Sequence, residues 1–182
     1  MLTLRQWWVR LAIVTLAYIV AGRLALLLAI PPGYATAIWP AAGVAVVAVS
    51  RWGWPAAIGV ALGSFGVNLV TGDAAIAAAL SLGPTLQAAL AALLIRKAIG
   101  SLALERGRDV ALFYLLAGPV ACLVAATWGA FVLYGAGELS PDNLAYTWLT
   151  WWVGDTVGVM LVAPIVLVAV GEPRAMWRRR ML

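Results

Sequence analysis

The sequence predicts an all-α fold: a polytopic integral membrane helix bundle with six transmembrane helices and both termini cytoplasmic. Three observations predict it. Hydrophobic residues make up 65% of the 182 positions and charged residues only 10%, whereas soluble domains carry ~25% charge. The apolar residues fall into six runs, most of them near the ~20 residues that a spanning helix needs. Basic residues gather in alternate connections, the asymmetry that the positive-inside rule describes.

The helices are expected near residues 8–30, 36–50, 54–71, 74–98, 109–134 and 144–170. The first follows Arg5 and Arg10. Its apolar run is too long for the h-region of a secretory signal and lacks an A-x-A exit, so it reads as a retained helix. The second is short. It follows Pro31-Pro32-Gly33 and carries Trp39-Pro40 near its start, where a proline costs little because its missing N–H would be unpaired anyway. The 31–40 stretch is irregular backbone, tolerated at membrane depth only when buried in protein or lining a cavity. Arg51-Trp52-Gly53-Trp54-Pro55 turns the chain into the third helix, and Asp73 precedes the fourth, which contains Pro84. A basic link with Arg96, Lys97, Arg106 and Arg108 leads to the fifth. The sixth runs from about Leu144 to Val170, ahead of Arg174, Arg178, Arg179 and Arg180.

Eleven of the twelve basic residues thus lie on one predicted side, and the opposite loops hold Asp73, Glu138 and Asp142. Both termini are therefore placed in the cytoplasm. Trp7, Trp8, Trp52, Trp54 and Trp177 fall toward that boundary. Trp39, Trp128, Trp148, Trp151 and Trp152 fall toward the other, as interfacial belts do. The arginine-rich tail reads as a topology anchor beside anionic lipid or as a handover to a further segment.

Composition also excludes functions. With no histidine, His-ligated haem, His-based zinc sites and the Ser-His-Asp triad are absent together. Cys122 is the one cysteine and reads as a small packed hydrophobe. No P-loop, HExxH, dinucleotide fingerprint or nucleophile elbow occurs. No catalytic residue, metal site or cofactor is expected, and the net charge of +5 reflects topology rather than nucleic-acid binding.

The polar residues inside the apolar runs carry the functional signal. Asp155 lies in Trp151-Trp152-Val153-Gly154-Asp155, and an ionised Asp at a helix centre costs roughly 2.5–3.5 kcal/mol on insertion scales. Such a group faces a protein interior, a partner charge or water. Arg23 is the one base outside the cytoplasmic loops. It sits ~10 Å from the outer end of its helix, against ~13–16 Å for Asp155 at 1.5 Å per residue. A pair joining the first and last helices is one reading, and snorkelling of Arg23 to the interface another. Asn68 suits an interhelical hydrogen bond, and Thr85 and Gln87 suit carbonyls freed by Pro84. Alternatively Arg23, Trp39, Asn68, Trp152 and Asp155 line one outward pocket for a small polar or amphipathic ligand. Gly59-x-x-x-Gly63 and Gly154-x-x-x-Gly158 allow close helix approach within the bundle or in a homodimer.

Three separated motifs carry a family resemblance. Ala37-Ile38-Trp39-Pro40-Ala41-Ala42-Gly43-Val44-Ala45 resembles the "WPPAGIA" signature of the bacterial membrane-associated sensor domains of the first type, called MASE, with Ala41 in place of the second proline. Arg51-Trp52-Gly53-Trp54-Pro55, then Gly59, Gly63 and Asn68, is similar to the family's "WP…G…G…N" pattern. Trp151 to Met160 resembles its "WWLGDALGVL" block, with Pro164 in the matching tail and Arg23 at the basic position of the first helix. The resemblance implies a transmembrane sensor domain over residues 1–172 and a basic cytoplasmic tail, 173–182, beginning a linker. The partners it implies are the lipid bilayer of the bacterial inner membrane, an unknown small ligand or membrane protein, and a fused or separate histidine kinase, diguanylate cyclase or cyclic-di-GMP phosphodiesterase. Family members are often described with about eight helices, against six here, and no output domain follows Arg180, as expected of an excised module or of a stand-alone protein. A small-solute transporter subunit and a scaffold for another membrane protein are the alternative readings.

Overall fold

The computed structural model describes residues 3–27, 36–69, 72–104 and 106–170. Among these every regular element is helical: α1 (Leu4–Leu26), α2 (Pro40–Trp52), α3 (Trp54–Asn68), α4 (Ala74–Ala98), α5 (Gly107–Leu115), α6 (Ala121–Gly135) and α7 (Pro141–Val170). A kinked segment, Leu116–Val120, with Gly118 outside helical angles and Pro119 after it, joins α5 to α6. Four helices, α1, α4, the α5–α6 rod and α7, are long and apolar enough to cross a membrane; α2 and α3 are shorter, with 13 and 15 residues. The expected Pro31-Pro32-Gly33 bend and the arginine tail lie outside the described residues.

Local chemistry sets the boundaries. Thr3 and Gln6 form a reciprocal capping box, with Thr3 Oγ1 accepting from Gln6 N and Gln6 Oε1 accepting from Thr3 N, so α1 begins four residues before the expected start. Pro40 opens α2, and Pro55 lies in the first turn of α3. Gly53 between them has φ +67°, a left-handed value that glycine adopts without a Cβ penalty. Asp73 caps α4 by accepting from the N–H groups of Ala75 (2.7 Å) and Ile76 (3.0 Å), which satisfies two donors the helix leaves unpaired. Pro84 stays inside α4. Thr85 Oγ1 donates to Ser81 O at 2.8 Å, one residue on from Leu80, whose carbonyl Pro84 leaves without its N–H partner. Gln87 does not share that role: its Nε2 donates across to Cys122 Sγ at 3.3 Å.

Glycines set the packing. On α1 the buried residues Val14, Tyr18, Gly22 and Ala25 form one stripe against α3. A Cβ on Gly59 would sit 2.9 Å from Leu11 O and Val14 Cβ, and one on Gly63 would sit 2.7 Å from Tyr18 Cβ. The order of these contacts makes α1 and α3 parallel. Gly43 of α2 meets Gly158 and Ala163 of α7 in the same sense. By contrast α6 runs antiparallel to α4, with Gly83 beside Ala125 and Gln87 beside Cys122, and antiparallel to α7, with Gly129 beside Trp151 and Gly118 beside Thr156. Successive rods therefore alternate in direction. Both G-x-x-x-G motifs are seats for helices of this same chain.

α2 is the central element. Eight of its residues, Ala41 to Gly43 and Ala45 to Val49, are buried, and it touches α1, α3, α4 and α7. Two apolar clusters meet on it: one includes Val46, Val47, Phe113, Cys122, Val159 and Ala163, the other Val14, Tyr18, Ala45, Ala56 and Val60. The outer face of α1 exposes Ile13, Leu16, Val20 and Leu24, a surface suited to lipid. At one end of the bundle Arg10 stacks over Trp52 at 5.9 Å, and Arg51 and Arg96 line a shared groove with Trp54.

Candidate functional site

The start of α2 is held by backbone rather than by side chains. Trp39 N–H donates to Gly154 O at 2.9 Å. A Cβ on Gly154 would lie 2.7 Å from Thr36 O, and one on Gly158 would collide with Trp39 O. Only glycine at both positions lets residues 36–40 lie directly on α7. This contact fixes Trp39 beside Asp155, which is one residue after Gly154.

A pocket of ≈ 90 Å³ opens there, between the Leu26 end of α1, the Asn68 end of α3 and the middle of α7. It has room for several waters or a small molecule by the ~10–15 Å³ that one water needs. Trp39, Asn68 and Asp155 all line it, with Tyr18, Thr36, Ser64, Pro84, Thr150 and Trp151. Three of the five residues expected at the site are thus together. Trp152 points elsewhere: its Nε1 donates to Pro119 O at 2.8 Å, and its ring stacks on Trp148 with centroids 6.0 Å apart. The neighbouring Trp151 supplies the aromatic wall instead. Arg23 is exposed, and its guanidinium donates to Gly66 O at 3.2 Å. No ion pair links it to Asp155 among the described residues; in place of a salt bridge from α1 to α7, Arg23 makes a hydrogen bond from α1 to α3.

A chain of polar groups forms one wall. Trp39 Nε1 donates to Tyr18 Oη at 3.4 Å, and the Tyr18 hydroxyl also interacts with Ser64. Asn68 Nδ2 donates to Ser64 O at 2.9 Å and Ser64 Oγ at 3.2 Å. The opposite wall is Asp155, at the midpoint of α7. No described donor lies within hydrogen-bonding distance of its carboxylate. Beyond it, Gln87 Oε1 and Thr156 Oγ1 are buried without a hydrogen-bond partner. A buried charge without a partner is costly, so the arrangement favours species that approach Asp155 with a donor or a positive charge.

Tyr18, Thr36, Ser64, Thr150 and Trp151 are polar or aromatic lining residues that sequence reasoning missed. Tyr18 in an apolar helix gives no signal of its own, and Trp151 differs from Trp152 only in helical phase.

Comparison with curated proteins and with solved structures gives no match. The MASE1 family model matches residues 9–181, nearly the whole chain, including both strands of the argument for a site: the Trp39-Pro40 segment and the Trp151–Asp155 block it rests on. The chain therefore belongs to the MASE1 family of membrane sensory domains.

Proposed function

We propose that this chain is the sensory input module of a bacterial inner-membrane signalling protein. It detects a signal in or outside the membrane at the Asp155 pocket. It passes the signal through α7 to a cytoplasmic histidine kinase or cyclic-di-GMP enzyme, fused or separate. The observation that carries this reading is the Asp155 carboxylate, which faces a pocket with no partner among the described residues, on the helix that leads to the basic tail. Residues 1–172 are the sensor domain and 173–182 a cytoplasmic connector. The end bearing Arg10, Arg51 and Arg96 faces the cytoplasm, with six helical rods traversing the membrane. At 1.5 Å per residue α2 and α3 reach only ~20–22 Å, and their flanking residues complete the crossing.

The mechanism is a shift between two packings, biased by a ligand that contacts them differently. Because residues 36–40 rest on the backbone of α7, a ligand wedged between Trp39 and Asp155 acts on α2 and α7 together. The test is a fusion of the chain to a cytoplasmic diguanylate cyclase reporter. Asp155→Asn is expected to change output across stimuli while membrane insertion is retained. Unchanged output at normal expression refutes the reading.

A further inference from the structure

The pocket selects by charge. Among the described lining residues Asp155 is the single ionisable acid or base apart from the Tyr18 hydroxyl, and Arg23 is turned to Gly66 O. An anionic ligand would meet an unscreened carboxylate and find no cation to bind. A neutral ligand would leave that carboxylate without a charge partner. A protonated amine satisfies it with a charge-assisted hydrogen bond. The aromatic surfaces of Trp39, Trp151 and Tyr18 around the same space add cation–π attraction and apolar contact, which an alkali ion or a phosphate cannot use as well. Across the pocket, Ser64, Asn68 and Thr150 offer hydroxyl and amide groups to the far end of a short molecule.

The geometry points to a small organic monocation, a protonated primary alkylamine in chemical class, as the ligand of this site, with its ammonium on Asp155 and its carbon chain between Trp39 and Trp151. This inference rests on the proposed sensory role of the pocket and names the class of molecule it recognises.

The probe is n-butylamine, protonated at pH 7 as a lysine side chain is. It is titrated calorimetrically into the protein in lipid nanodiscs. 1-Butanol and butyrate serve as neutral and anionic probes of nearly the same shape. Saturable butylamine binding is expected, with butanol and butyrate weaker by about tenfold to a hundredfold, the range that a hydrogen bond to a charged group is worth. Asp155→Asn, which preserves the side-chain size, is expected to erase that preference. No saturable butylamine binding, equal binding of butanol or butyrate, or an unchanged preference in Asp155→Asn overturns the inference. Should the variant fail to fold, the three-probe comparison on the wild-type chain decides alone. The two readings fail separately: amine selectivity without any Asp155 effect on reporter output removes the sensory role and keeps the ligand class. An Asp155 effect on output with no amine selectivity does the reverse.

Discussion

Replacing Gly158 by alanine adds one methyl group at the place where two backbones are closest. The new Cβ would collide with Trp39 O, and the carbonyl carbon of Trp39 and Pro40 N lie just beyond. None of these atoms ends a flexible side chain, so relief requires the start of α2 to lift away from α7. Overpacking of this kind costs about 1–3 kcal/mol. Lifting residue 39 also loses the Trp39 N–H to Gly154 O hydrogen bond, about 0.5–1.5 kcal/mol net. Together these place the loss near 2–4 kcal/mol. Gly135→Ala is the matched control, because a Cβ there meets nothing within 4 Å and alanine in a helix gains up to about 1 kcal/mol over glycine. Reversible unfolding in mixed micelles, followed by far-UV circular dichroism, measures both. Gly158→Ala is expected to unfold at a clearly lower denaturant fraction than wild type, and Gly135→Ala at the same fraction or higher. If Gly158→Ala proves as stable as Gly135→Ala, the backbone seat is not what joins α2 to α7.

Two further outcomes follow from the polar contacts. Trp152→Phe removes the 2.8 Å bond to Pro119 O and is expected to cost about 1–2 kcal/mol in the same unfolding assay; a neutral result means that the kink between α5 and α6 does not depend on that bond. Gln87→Met keeps a similar volume and removes a buried Oε1 that has no hydrogen-bond partner. Stability is expected to stay equal or rise, and a loss of more than about 1 kcal/mol would show that the amide is satisfied after all.

The helical class and the rough positions of the rods were legible because spanning segments must be long and apolar. Boundaries were less so. The chain enters α2 at Pro40 rather than near residue 36 because Trp39 N–H is drawn to Gly154 O, a partner 115 positions away that no local pattern reveals. Asp155 stood out by its cost in an apolar run, and Trp39 and Asn68 by their motifs. A sequence does not fix the rotation of a helix about its axis, and adjacent residues point about 100° apart, so Trp151 and Trp152 are not told apart by position alone. Arg23 lay at a depth compatible with Asp155, yet depth says nothing of which neighbour a side chain meets. The kink between α5 and α6 left a trace in Gly118-Pro119, where Gly118 departs from helical angles with ψ −107°.

The break at Gly118 has a further consequence. A regular helix carries one angular phase from end to end. Phe113 and Cys122 are nine positions apart, so an unbroken helix would set them about 180° apart around its axis. Both nevertheless reach the same apolar cluster, because the backbone leaves helical angles at Gly118, with ψ −107°. The five-residue segment Leu116–Val120 therefore works as a vernier between two facets.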